Sequence, residues 1–389
     1  MRVGIDASNL RQGGGVTHLV QLLAAAVPRE AGIERVTVWG GRQILEVLPN
    51  RPWLERLHEP SLDRRGLSRT RWQQRTLASL ARKSVDVLFS PGGTYLGKFR
   101  PFVTMFRNML PFDASERRRY GLSRMRLKLE ILWRVQRATF ARADGVIFLT
   151  KHARAHLLGQ GLRIPGRQAV IPHGLDPLFF GAQKPQPSWQ EFSSQRPFRW
   201  LYVSAIHAYK HPWNVAEAVA QMRSAGMPVT LTIVGPPYPA ALVRLESTLK
   251  RVDPAGAFIR FVPGVSHAEL PRVYSEADGF VFASSCENMP NSLLEAMAAG
   301  LPIVSSERPP MPDILQDGGL YGDPESPASL ADAMNRLMID ERSRTRVAAV
   351  AQDLARGYNW ERCALDTFQF LAMTGSAGAA TRTTRMDEH

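Results

Sequence analysis

The stretch Ser285-Cys286-Glu287-Asn288-Met289-Pro290-Asn291-Ser292-Leu293-Leu294-Glu295-Ala296-Met297-Ala298-Ala299-Gly300-Leu301-Pro302-Ile303-Val304 decides how the rest of the chain is read. The apolar run 279–283 ahead of it predicts a buried strand. Pro290 and Asn291 open a helix, since Asn is a good N-cap and Pro is tolerated where no N–H is needed. Gly300 stops that helix, Pro302 lies just beyond, and a second strand begins at once. A strand–loop–helix–strand unit belongs to an α/β sheet, which takes its ligand beyond the carboxyl ends of the strands. Glu287 falls in the loop and Glu295 on the helix. The helix tip between them offers free N–H groups and the positive end of the dipole, an anion site. Two acids around such a tip fit an anionic, hydroxyl-rich ligand such as a nucleotide sugar. The spacing alone fits two solvated acids equally well.

Working outward, 389 residues suffice for two α/β domains of ordinary size, and 44% apolar content supports sizeable cores. No apolar run is long enough for a transmembrane helix. The opening Met1-Arg2-Val3-Gly4-Ile5-Asp6 goes straight into a strand and lacks a signal-peptide core. The two cysteines, Cys286 and Cys363, have no Cys or His partner at zinc spacing. They exclude a disulfide framework and fit a reducing cytosol, so a cytoplasmic protein is expected. Cys286 reads as a small packing residue.

The net charge of +14 comes from 49 Lys and Arg against 35 Asp and Glu. Residues 61–142 hold nineteen of those bases and five of the acids, which accounts for the whole excess. Arg64, Arg65, Arg69, Arg71, Arg75, Arg82 and Lys83 share a segment with Leu67, Trp72, Leu77 and Leu80. Arg117, Arg118, Arg119, Arg124, Arg126 and Lys128 lie beside Tyr120, Leu122, Met125, Leu129, Leu132 and Trp133. Basic, Trp-bearing amphipathic helices suit an anionic cytoplasmic membrane surface. They also fit solvated helix faces. Nucleic acid is the rival partner, and no DNA- or RNA-reading motif accompanies the charge.

In chain order, strand-like runs at 2–7, 35–39, 85–89, 102–106, 145–149 and 168–171 alternate with helical stretches, predicting a parallel doubly wound sheet. After the first strand, Gly13, Gly14 and Gly15 precede a helix over 16–27, a weak phosphate-loop signal. Arg107 and Asn108 follow the 102–106 strand and so fall at its ligand edge, where Arg107 fits a phosphate or a plain surface position. Ile171-Pro172-His173-Gly174-Leu175-Asp176-Pro177 and the polar stretch after it mark a hinge. A second set of strands follows at 200–203, 229–234 and 258–261. Lys210 stands between the first of these and a helix from 213, where a lysine reaches phosphate oxygens or simply solvent. The turns at Gly235 and Val262 should line a nucleotide site. Helices fill 327–357 and 360–373, and the small, polar residues 374–389 predict a disordered tail.

Glu287-x7-Glu295 with its flank Ala296-Met297-Ala298-Ala299-Gly300-Leu301-Pro302-Ile303-Val304 resembles the E-x7-E signature of the retaining family 4 glycosyltransferases, of bacterial surface-polysaccharide type. The resemblance implies the GT-B fold: two Rossmann-like, doubly wound parallel-sheet domains facing across a cleft. It implies an acceptor-side domain at 1–174, a nucleotide-sugar domain at 175–358, and a helix over 359–373 crossing back to the first. In that family the first Glu lies beside the donor sugar and the second bonds the nucleotide ribose. The loop between gives N–H groups to the donor; here it is Asn288, Met289, Pro290 and Asn291, where the family more often has a Gly or Phe-Gly, and it leads to Ser292. Lys210 matches a family lysine that neutralises the donor diphosphate, whereas Ala205 stands at the place of its arginine partner. Arg107-Asn108 replaces a frequent His-Asp. The Gly loop contacts donor phosphate or acceptor, and the base lies against the backbone at Val262.

The resulting expectation is a retaining hexosyltransferase with Glu287 and Lys210 catalytic. It moves sugar from a nucleotide diphosphate to a lipid-linked or saccharide acceptor at the inner membrane face. No Asp-x-Asp occurs in the sequence, so neither a metal nor another cofactor is expected. The alternatives are another GT-B enzyme such as a nucleotide-sugar epimerase, which needs donor alone, and a non-catalytic basic protein binding membrane or nucleic acid.

Overall fold

Two all-parallel sheets carry the chain. In the computed structural model, which describes residues 1–10, 13–64, 68–183 and 185–386, the first sheet contains β1 (Arg2–Asp6), β2 (Arg35–Gly40), β3 (Leu54–His58), β4 (Val87–Ser90), β5 (Phe102–Phe106), β6 (Gly145–Phe148) and β7 (Arg167–Val170). Their spatial order is β3-β2-β1-β4-β5-β6-β7. The second sheet contains β8 (Phe198–Val203), β9 (Val229–Val234), β10 (Ile259–Val262), β11 (Gly279–Phe282), β12 (Ile303–Ser306) and β13 (Leu320–Gly322). It runs β10-β9-β8-β11-β12-β13. Both orders reverse direction beside their first strand, which is the doubly wound pattern. Strands β4, β5, β6, β11 and β12 are buried along their whole length, as a sheet covered on both faces requires.

The chain divides into two compact units. One holds Met1–Arg117, Gly121–Gly174 and everything from Tyr358 onward; the other holds Arg118–Tyr120 and Leu175–Gly357. In the first unit the last helix, Trp360–Met386, packs on the helix Gly14–Ala25. Trp360 stacks on His173, and Phe370 fills the space left by Gly145, where an added Cβ would lie 2.8 Å from its ring. This helix does not end near 373. It runs on through 374–386, where the sequence reading placed a disordered tail. Thr374 is buried and bonds Phe370, Gly375 lies against Met1 and Val87, and alanines are strong helix formers. Residues 387–389 lie outside the described residues.

In the second unit Trp200, Tyr202, Leu231, Ile233, Val281 and Val304 build the core with Trp213, Val219, Met334 and Leu337 from the helices Pro212–Ser224 and Pro327–Ile339. Gly235 closes the ends of three strands. Its φ is +151°, its N–H donates to Val262 at 3.0 Å, and a Cβ there would lie 2.0 Å from the Ser204 carbonyl. We expect Gly235→Ala to force the β8 end apart and to cost about 2–4 kcal/mol, read as a fall in the midpoint of urea unfolding. An unchanged midpoint would refute the close approach.

The basic segments fold partly as expected. Arg65 and Leu67 lie outside the described residues. Trp72 is buried, so it belongs to the core of the first unit and not to an exposed basic face. The helix Arg124–Arg142 is amphipathic, with Leu129 and Phe140 inward and Leu127 and Ile131 outward.

Candidate active site

The loops at the carboxyl ends of β8 and β11 carry most of the predicted site. These strands are neighbours, with Leu201 beside Phe280, and the strand order reverses between them. Lys210 closes a short 3-10 turn after β8, and Tyr202 donates to its carbonyl at 2.5 Å. Glu287 sits in the loop before the helix Asn291–Ala298. The two side chains form an ion pair, and each is only 11% exposed. Lys210 Nζ also lies 5.3 Å from the ring centres of both Tyr209 and Phe282. A charge pair this far from water holds only because each partner compensates the other.

The backbone under the pair is braced. Ser285 N–H donates to the Tyr209 carbonyl at 2.9 Å. The Ser285 hydroxyl donates to the same carbonyl at 3.2 Å, leaving its lone pairs for His211 Nε2 at 2.8 Å. His211 has φ +48° and ψ +40°, a left-handed conformation that a non-glycine residue holds only under strong local constraint. Burial and then the nearby Arg119 push its pKa down to about 4, so it is neutral and donates to Ser285 as the Nε2–H tautomer.

Glu295 lies in the first turns of the helix Asn291–Ala298 and is buried. Tyr274 donates to it at 2.8 Å. Burial raises its pKa to about 7, with Asp176 adding to the rise against the Tyr274 bond. Pro290, not Asn291, occupies the N-cap, and no side chain caps this helix. Proline has no side-chain oxygen to accept from them, so the first helical amides, Asn291 and Ser292, are left without a capping side chain. Asn288 and Met289 are buried in the loop ahead of it. Gly235 and Val262 meet at the β9 and β10 ends, as described above.

Thus Lys210, Glu287, Glu295, the loop 288–292, Gly235 and Val262 all fall at the carboxyl edge of the second sheet. Gly13, Gly14, Gly15, Arg107 and Asn108 belong to the first unit. There Gly13 has φ +75° at the helix cap, and Arg107 donates to the Gly14 carbonyl at 2.6 Å. Burial lowers the Arg107 pKa to about 10. Asn108 is exposed and accepts from Leu110, a local turn. Sequence reasoning missed Tyr274, Tyr202, His207 and His211. The only signal for the two histidines was their place between a strand end and a helix start. Among the described residues no group of three or more His, Cys, Asp and Glu side chains forms a metal cluster.

The sequence and the fold are similar to those of known proteins. A family profile described as Glycosyltransferase Family 4 matches residues 12–178, and one described as Glycosyl transferases group 1 matches residues 197–340. A D-inositol 3-phosphate glycosyltransferase of a Nocardioides species is 34% identical over 182 residues, 43% of this chain and 40% of that one. The chain spans less than two thirds of the length of such curated relatives. Sucrose-phosphate synthase from Thermosynechococcus elongatus superposes with a TM-score of 0.74 at 20% identity, over 97% of this chain and 100% of that one. The HepE protein of Anabaena, solved in complex with UDP-glucose, superposes with a TM-score of 0.67 at 17% identity, over 99% and 100%. Two profiles that together take in most of the chain, laid over a pair of doubly wound sheets, make it a member of the family 4 glycosyltransferases of GT-B fold.

Proposed function

We propose that this chain is a retaining glycosyltransferase that moves a hexose from a nucleotide diphosphate sugar to a hydroxyl of a lipid-linked or saccharide acceptor, without a metal. The observation that carries the reading is the buried Lys210–Glu287 pair at the strand ends, with Glu295 on the adjoining helix. Lys210 supplies charge for the departing diphosphate, aided by the helix amides. Glu287 orients the sugar and stabilises positive charge at the anomeric carbon. The donor phosphate assists the acceptor hydroxyl on the same face, which preserves configuration. Glu295 receives the ribose hydroxyls, the loop 288–292 faces sugar and phosphate, and Gly235 and Val262 take the base. In the first unit Gly13, Gly14, Gly15 and Arg107 are proposed phosphate or acceptor residues, with Asn108 beside them. The Anabaena complex with UDP-glucose supports a nucleotide sugar as donor.

A thermal-shift panel of nucleotide sugars tests this directly, because a ligand bound at a hundred times its Kd stabilises by about 2.7 kcal/mol. The panel is repeated on Glu295→Ala and Lys210→Ala. Unchanged donor affinity in both variants removes the assignment, and conversion of donor without acceptor would favour an epimerase.

For the acceptor side, the proposal includes docking on an anionic membrane surface. Leu122, Leu127 and Ile131 are 109%, 61% and 52% exposed, and the cations Arg124, Lys128 and Arg134 are exposed alongside them. No described helix is long and apolar enough to cross a membrane. We expect sedimentation with vesicles containing phosphatidylglycerol and not with pure phosphatidylcholine, lost in Leu127→Glu/Ile131→Glu. Equal binding to both vesicle types would end this part of the reading.

A further inference from the structure

Beyond the strand ends, Ile206 donates to Pro236 at 2.9 Å and accepts from Tyr238 at 3.0 Å, which prolongs the β8–β9 ladder by one step. That step sets the His207 ring against Tyr238, with centres 5.2 Å apart and planes 19° apart. His207 is stacked on Tyr209 as well, at 5.7 Å and 18°. The histidine is half-buried, and its Nδ1 is buried with no hydrogen-bond partner. It stands three residues before Lys210, on the same loop.

The charge balance of the site makes this ring relevant. Lys210 is already neutralised by Glu287. A doubly anionic diphosphate entering here meets a pair with no net charge. His211 is held neutral, as shown above. We propose that His207 is the second cation of the donor site, taking up a proton when a nucleotide diphosphate sugar binds beside Lys210. The inference rests on the donor reading of the preceding subsection.

The groups around the ring fix the sign. Burial and then Lys210 hold the His207 pKa below its ordinary value, so the free protein keeps the ring neutral. Tyr209 and Tyr238 contribute faces and no charge. Glu287 acts from the β11 loop only through its pairing with Lys210. A bound diphosphate brings uncompensated negative charge beside the ring and offers an acceptor to a ring N–H, and both effects favour the imidazolium. Glu295 titrates in the opposite sense, since ribose hydroxyls favour its carboxylate. The two contributions separate by variant.

The test is calorimetric titration of the full chain with UDP-glucose, and with GDP-mannose as second probe, in buffers of different ionisation enthalpy from pH 6 to 8. The diphosphate diester of either probe does not itself titrate there. Relative to wild type, His207→Gln should lose most of one bound proton. It should also lose an affinity gain of about tenfold toward pH 6, the equivalent of one pKa unit. His207→Lys carries a fixed charge, so it should restore tight binding at pH 8 and leave only the Glu295 contribution in the pH profile. Equal proton counts in wild type and His207→Gln overturn the proposal. So does a lysine variant no better than the glutamine variant, which would leave the stack a purely structural brace. If neither probe binds wild type, the donor reading itself falls.

Discussion

Lys210→Met should lower turnover of the donor by about 10³-fold, the scale seen when one charge-stabilising donor is removed from an active site. The same change should lower stability by about 3–5 kcal/mol, because it strands Glu287 as a buried, unpaired carboxylate. These two losses have separate causes, and a double variant parts them. Lys210→Met/Glu287→Leu removes both charges and fills much the same volume. Its stability should return close to wild type, since exchanging a buried ion pair for apolar groups is often neutral. Its turnover should not return. Urea unfolding and initial rates of donor hydrolysis read the two quantities on the same samples. A double variant that is both stable and active would show that the pair holds the loops together and has no part in transfer. A double variant as unstable as the single would show that Tyr209, Phe282 and the loop backbone depend on the charges themselves.

That this pair could be anticipated at all follows from where the sequence carries information. Glu287 and Glu295 lie within one contiguous stretch, bounded by an apolar strand, a Pro-Asn start and a Gly300 stop, so local rules place them. Lys210 is seventy-seven positions from Glu287. Its approach depends on β8 and β11 being neighbours, which the alternation of strands and helices makes probable only as a pattern of the whole sheet. What was illegible depended on burial. Trp72 looked like a surface anchor among arginines, and only the packed unit shows it inside. β3 was missed because it is an edge strand with four of its five residues exposed, so it has no apolar run. β13 has three residues, too few for any periodicity. The contribution of Tyr274 to Glu295 is a contact between two helices twenty-one positions apart, with no motif to announce it. The tail was misread because small residues look the same to composition whether they are solvated or laid on a sheet, as Gly375 is against Val87.

Glu295→Gln should abolish the pH dependence that Glu295 imposes on the second unit. The folded pKa is about 7, raised from an ordinary 4.5 by burial. Below 4.5 both states hold the proton and the group contributes nothing. Between 4.5 and 7 the unfolded chain releases its proton while the folded chain keeps it, so stability falls as pH rises. Above 7 the penalty is complete, and at 1.36 kcal/mol per pKa unit it amounts to roughly 3 kcal/mol. Glutamine keeps the oxygen that accepts from Tyr274 and has no proton to lose. Relative to wild type the variant should therefore gain about 2.5 kcal/mol between pH 5 and pH 8, with most of the gain before pH 7.5. Parallel stability curves over that range would mean that Glu295 is already ionised in the folded protein. The consequence reaches the donor: a group that folding keeps protonated near neutrality is one that ribose hydroxyls can ionise. Nucleotide sugar should accordingly release a proton at Glu295 while His207 takes one up, so the net proton count in wild type should lie between the net release of His207→Gln and the net uptake of Glu295→Gln.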